Sequence, residues 1–174
     1  YLASPFYRIF AVAPEPGKVK WTYDTHAVLK RLTQPELTSR GAAYWQVASP
    51  EAGRSCQKMV YVGTMDAKLH AVDADTGTLC PGFAKGGILD IDQWNKPDAK
   101  WPQSILQPPN VYKDTLFIGW AGKDWANKAT PAGHVFAVDA RTGKRKWTFN
   151  DVYEQDRANT GTANVRAAMS FDRA

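Results

Sequence analysis

One short pattern occurs three times in this chain, and it limits the fold more than any other feature. It reads AVDADTGTLC at Ala71–Cys80, AVDARTGKRKW at Ala137–Trp147 and, in a weaker form, AVAPEPGKVKW at Ala11–Trp21. A unit repeated at starts 11, 71 and 137 predicts an array of similar modules, each burying its apolar face against the next.

The chemistry of each copy is that of a strand, a tight turn and a returning strand. Alternation at Leu69-His70-Ala71-Val72 and Val135-Phe136-Ala137-Val138 places every second side chain on one face, the period of a strand. Asp73 and Asp139 follow, with carboxylates suited to accept the backbone N–H groups of a turn. Gly77 and Gly143 then supply a position for positive φ. Trp147 and Trp21 lie on the return strands, where a large ring can fill the gap between neighbouring sheets. In the first copy Pro14 and Pro16 replace other turn residues, leaving the Gly and the Trp in common.

Composition agrees with an aromatic-rich β-protein. Hydrophobic residues make up 44% and aromatics 12%, while 13 Gly and 11 Pro punctuate short apolar runs. No run approaches the ~20 apolar residues that a membrane-crossing helix needs. The net charge is +5, but the basic residues are scattered and the one dense run, Lys144-Arg145-Lys146, follows a turn. That distribution describes solvated strand faces and argues against a nucleic-acid-binding stripe. At the ends, Tyr1-Leu2-Ala3 reads as strand interior and Ala168–Asp172 as a strand entering a turn, so we expect a piece of a longer protein.

Cys56 and Cys80 flank the middle copy, 24 positions apart, far from CxxC redox or zinc spacing. His26, His70 and His134 are isolated and complete no metal cluster. An antiparallel meander could bring the two sulfurs together, so the choice lies between a disulfide and two buried thiols. The bridge is the favoured outcome, and with it an oxidising compartment.

The segments SRGAAYW (Ser39–Trp45), TMDAKLHAVDADTGTLC (Thr64–Cys80), PPNVYKDTLFIG (Pro108–Gly119), GHVFAVDARTGKRKWTF (Gly133–Phe149) and GTANV (Gly161–Val165) run in collinear order. Together they resemble the quinoprotein dehydrogenases that use pyrroloquinoline quinone (PQQ). The cysteine-flanked unit is more similar to the membrane-bound glucose and quinate branch than to the methanol branch. The resemblance implies an all-β fold, a propeller of the eight-bladed quinoprotein type with about three blades present. Approximate repeat units are 1–57, 58–110 and 111–174.

The same resemblance nominates site residues. Arg40 stands where the family has an arginine that contacts the cofactor, and a guanidinium fork suits the carboxylates of PQQ. Asp124 aligns with an acidic ligand of a divalent cation, Ca²⁺ or Mg²⁺, although Lys123 beside it departs from the pattern. Arg166 replaces the tryptophan that forms a flat floor under the PQQ ring; a guanidinium can also stack there. Leu106-Gln107 occupies the place before Pro108-Pro109 where a hydroxyl residue often contacts the cofactor, which makes Gln107 a third candidate. Ala121 stands where some relatives have Ser.

No catalytic residue is nominated, because the family's base lies in later blades. Asp66, Asp90, Asp92 and Asp98 have no positional warrant. Thr142-Gly143-Lys144 lacks the frame of a phosphate loop, and there is no G-x-S-x-G elbow. The expected parent is a periplasmic dehydrogenase of a sugar, cyclic polyol or other alcohol that passes electrons to quinone. The chain alone is expected to be inactive and to pair its sheet edges with the remaining blades or with itself. The alternative is a non-catalytic propeller scaffold in the cell envelope.

Overall fold

The computed structural model describes residues 1–28, 39–95, 103–119, 134–150 and 170–173, the last four and residue 150 without their side chains. The described strands form three antiparallel sheets, each with neighbours in chain order. The first contains β1 (Leu2–Ala3), β2 (Arg8–Val12) and β3 (Val19–Asp24). The second contains β4 (Ala43–Gln46), β5 (Lys58–Gly63), β6 (Lys68–Asp73) and β7 (Ile88–Asp90). The third contains β8 (Asn110–Tyr112), β9 (Thr115–Gly119), β10 (His134–Asp139), β11 (Arg145–Asn150) and β12 (Ser170–Arg173). These meanders bear out the all-β expectation.

The second sheet is covered on both faces, and the period of two decides which residue goes where. Met59 and Tyr61 of β5, with Leu69 and Ala71 of β6, join Leu116, Ile118 and Phe136 of the third sheet in one core. Val60, Val62 and Val72 take the opposite face and pack with Ile9 of the first sheet. The unbroken apolar run Met59-Val60-Tyr61-Val62 is therefore a strand with no wet side. In β2, by contrast, only Ile9 and Ala11 are buried.

The repeat copies share one turn. Asp73 Oδ1 accepts the N–H groups of Asp75 and Thr76, each at 3.0 Å, and Asp139 Oδ1 accepts those of Arg141 and Thr142 at 3.1 and 2.9 Å. Burial alone would raise both carboxyls, but the Cys56 N–H with the turn hydrogen bonds at Asp73, and the Thr142 and Arg141 hydrogen bonds with the Lys146 charge at Asp139, outweigh it and hold them below the ordinary range. Gly77 and Gly143 have φ of +75° and +70°, as the turn requires. The first copy, with its prolines, keeps the same closure: Gly17 donates to Ala13 O at 3.1 Å, with φ +82°. The first and third copies also share a register shift, after Ala11 and after Ala137.

The middle copy differs after its turn. Its expected return strand is reduced to a single bridge, Val72 to Leu79, and β7 takes the place beside β6. Pro81 explains the stop, since it brings no N–H to a ladder. Cys56 and Cys80 are joined, with Cα atoms 5.7 Å apart. The bridge ties the β4–β5 loop to the turn, and Asp73 Oδ2 accepts the Cys56 N–H at 2.6 Å. Cys56, Asp73 and Cys80 lie together, but the sulfurs are bonded to each other and leave no thiolate for a metal.

Candidate cofactor-facing site

The site begins with a strap. Residues 103–107 run across the end of the second sheet where β5 turns into β6. Ser104 Oγ donates to Met65 O at 2.8 Å, and the Ile105 N–H donates to Thr64 O at 2.9 Å. Ile105 itself is fully buried, whereas Gln107 is exposed. Leu106 of the strap and Ala27 pack against the buried pair Tyr7 and Met65.

Arg40 enters from the opposite direction, on the extended approach to β4. Its N–H donates to Leu106 O at 3.1 Å, which brings Arg40 beside Gln107. Gly41 follows with φ +129°, and a Cβ there would lie 3.9 Å from Pro108 Cγ, so the two segments run in contact. Two candidates far apart in sequence are thus neighbours, both exposed, at one end of the sheets. Asp124 and Arg166 lie outside the described residues.

The donor set suits an anionic ligand. A guanidinium offers five N–H groups in a fixed fork and a carboxamide offers two more. No salt bridge among the described residues claims Arg40. The nearby carboxylate, Asp66, is engaged structurally: it accepts the Val28 N–H at 2.9 Å and the Thr64 hydroxyl at 2.5 Å. Asp90 caps the 3₁₀ turn Ile91–Trp94 and pairs with Lys68, while Asp92 accepts from Asn95 and from the Gln103 N–H. None of these is a free base.

A cavity of about 280 Å³ lies elsewhere, lined by Trp45, Met59, Phe83, Arg141 and the disulfide. The register of β4 on β5 puts it at the other end of the second sheet, away from Arg40. The sequence drew attention to Arg40 and Gln107 but not to the strap. Residues 103–107 carry no periodicity, and the only available hint was Gly63 closing an otherwise apolar strand.

Comparison with known proteins identifies the relatives of this fold. The glycerol dehydrogenase large subunit of Gluconobacter oxydans (strain 621H) is 28% identical over 183 residues, covering 100% of this chain and 24% of that protein. The quinoprotein glucose dehydrogenase of Escherichia coli (strain K12) is 31% identical over 155 residues, covering 86% of this chain and 19% of the relative. Among solved structures, the quinohemoprotein alcohol dehydrogenase of Pseudomonas putida HK5 superposes with a TM-score of 0.66 at 27% identity, over 87% of this chain and 19% of that one. The chain therefore spans about a quarter or less of the length of these relatives. The family model for the glucose/ethanol/alcohol dehydrogenase β-propeller domain (PQQ) matches residues 1–174, and the chain belongs to that family.

Proposed function

We propose that this chain is one sector of a larger propeller whose complete protein binds PQQ and oxidises a sugar, cyclic polyol or other alcohol, passing the electrons to a quinone. The observation that carries the reading is the meeting of Arg40 and Gln107 at one end of the sheets, through the Arg40 N–H on Leu106 O. Bound PQQ would supply the two-electron chemistry. Arg40 would hold one of its carboxylates through a bidentate, charge-assisted pair, and Gln107 would add a neutral donor. Asp124 would offer a carboxylate oxygen to Ca²⁺ or Mg²⁺, and Arg166 would stack on the ring. The base for the hydroxyl proton would come from other blades of the complete protein, and this sector alone would then be inactive. The disulfide supports an oxidising compartment, which is in keeping with a periplasmic location.

The first sheet supports the idea of a sector. Leu2 pairs with Phe10 on the face turned away from the second sheet, and Leu2 is 62% exposed. Val19 of β3 is a further exposed apolar residue of this sheet. Nothing among the described residues covers that face, whereas the second sheet is covered on both. A further blade, or a second copy, would bury it.

The test uses the complete polypeptide with PQQ and Ca²⁺, assayed by dye reduction with sugars and cyclic polyols and by calorimetry. Binding and reduction are expected, and Arg40→Ala should raise the PQQ Kd by roughly tenfold or more. No binding and no reduction across the panel would overturn the reading in favour of a scaffold. A compact 19.3 kDa monomer on size exclusion would count against an open sector.

A further inference from the structure

We infer that the strap 103–107 is the positioning device for the Arg40–Gln107 pair, and that Gly63 and Ser104, neither of which touches the site, set its geometry. The inference rests on the reading of Arg40 and Gln107 as cofactor-facing residues, and it concerns how they are held there.

An exposed arginine has many rotamers, so the reach of its fork depends on where its backbone is fixed. The recorded backbone bond of Arg40 is the one to Leu106 O. Whatever places the Leu106 carbonyl therefore places Arg40, and Gln107 is the next residue along. Three contacts place it. The Ile105 N–H is bonded to Thr64 O at 2.9 Å and the Ser104 hydroxyl to Met65 O at 2.8 Å. The third contact is one of space: a Cβ on Gly63 would lie 2.2 Å from Ile105 Cγ2, 2.6 Å from its Cβ and 2.7 Å from its carbonyl oxygen.

The space at Gly63 is the telling observation. Gly63 has no positive φ, so the turn does not require glycine there. It closes β5 opposite Leu69, where a side chain would normally add burial and β propensity. A glycine in a strand marks a close approach of another backbone, and the backbone that approaches is the strap. Any side chain at 63 must push Ile105 outward, and Leu106 O with it. The entry of the strap is fixed separately, by the Gln103 N–H on Asp92 Oδ1 at 3.1 Å. The displacement would therefore pass toward Leu106 and Gln107.

The test compares Ser104→Ala, Ser104→Thr and Gly63→Ala in the complete propeller polypeptide. Amide hydrogen exchange is read residue by residue, PQQ affinity by calorimetry, and the alcohol KM at saturating PQQ. In Ser104→Ala the Arg40 and Ile105 amides should exchange about tenfold faster while those of Val60 and Val72 stay unchanged. The PQQ Kd should rise about fivefold with KM unmoved, the loss of roughly one hydrogen bond. Ser104→Thr, which keeps the hydroxyl, should restore both readouts. Gly63→Ala should act in the same direction and more strongly. An unmoved Arg40 amide in Ser104→Ala overturns the inference, as does acceleration shared equally by Val60 and Val72. A wild type that binds no PQQ refutes the cofactor reading instead, and the exchange pattern then decides the role of the strap by itself.

Discussion

The junction between the first and second sheets and the junction between the second and third solve one problem with different residues. At the first, Trp21 does two jobs. Its ring lies on Gly77, where a Cβ would come within 2.6 Å, and its Nε1–H donates to Ala74 O at 3.1 Å. At the second junction the middle copy brings no tryptophan, and the jobs are divided. Phe83 and Ala84 lie on Gly143, with a hypothetical Cβ 3.2 and 3.0 Å from them, while the Tyr61 hydroxyl donates to Ala140 O at 2.7 Å. Ala74 and Ala140 hold the same place in the repeat, as do Gly77 and Gly143. What is kept is the receiving surface, a buried carbonyl beside a bare glycine. The donor and the ring come from wherever the preceding sheet can supply them.

The glycines give the sharpest way to break this comparison. Gly77→Ala must accept positive φ and an overlap with the Trp21 ring, so it should cost about 4 kcal/mol. Gly143→Ala meets its neighbours at 3.0 Å or more and should cost about 2 kcal/mol, chiefly from backbone strain. Urea midpoints of the two variants test the order. Equal costs would mean that the ring contact at Gly77 contributes nothing.

Next in size is the disulfide, which lies nearer the second junction through Cys80 and reaches the first only through the Cys56 N–H on Asp73. Closing a loop of this length stabilises the fold by roughly 3 kcal/mol in the chain-entropy model. Cys80 lies three residues before Phe83, and the Phe83 N–H donates to Cys80 O at 3.0 Å. Reduction, or Cys56→Ser with Cys80→Ser, should therefore raise hydrogen exchange at Ala84, whose N–H donates to Thr142 O, more than at the Trp21 junction. Exchange rising equally at both junctions would contradict this division.

The two junctions were not equally legible in the amino-acid sequence. The turn chemistry of Asp73 and Asp139 and the positive φ of Gly77 and Gly143 follow from local rules, while the joining of Cys56 to Cys80 is the favoured of two outcomes that the sequence leaves open. Trp21 as a docking ring could be read from its fixed place in the repeat. Its replacement by Tyr61 and Phe83 could not, because one comes from a preceding strand and the other from beyond Pro81, outside the repeat frame. The strap was hidden for the same reason. Its hydrogen bonds run from an aperiodic segment to a turn some 40 residues earlier, a separation that no local pattern encodes. Arg40 and Gln107 were found only through family resemblance, which marks positions but not what holds them.

A titration separates the junctions in another way. His70 lies at the first, buried, with Nδ1 2.9 Å from the Tyr23 hydroxyl, and burial lowers its pKa from 6.5 to about 4. Burial and the Asp24 charge push Tyr23 up to about 12, so its hydroxyl stays protonated beside the neutral ring. The unfolded chain takes up the proton near pH 6.5 and the folded one only near pH 4, so stability falls as pH drops through that window. The loss should be about 3 kcal/mol, and His70→Asn should flatten it. Asp24, Asp73 and Asp139, held below their usual value of 3.8, lose their contribution only at lower pH. A wild-type slope retained in His70→Asn would move the effect to another group.

The smallest effects test how far the donor is interchangeable. Ala74 O receives two hydroxyl or indole donors, from Trp21 and from Tyr1 at 3.0 Å, whereas among the described residues the side-chain donor at Ala140 O is Tyr61 alone. Tyr61 is fully buried, and that burial raises its pKa, so it stays a donor into strongly alkaline solution. Tyr61→Phe therefore leaves a buried carbonyl without its side-chain partner and should cost about 1 to 2 kcal/mol. Tyr1 is half exposed, and its loss leaves the Trp21 bond in place, so Tyr1→Phe should cost about 0.5 kcal/mol or less. Comparable costs would show that each junction depends on every donor it has; the expected asymmetry would show that the second junction, built from divided parts, has no reserve.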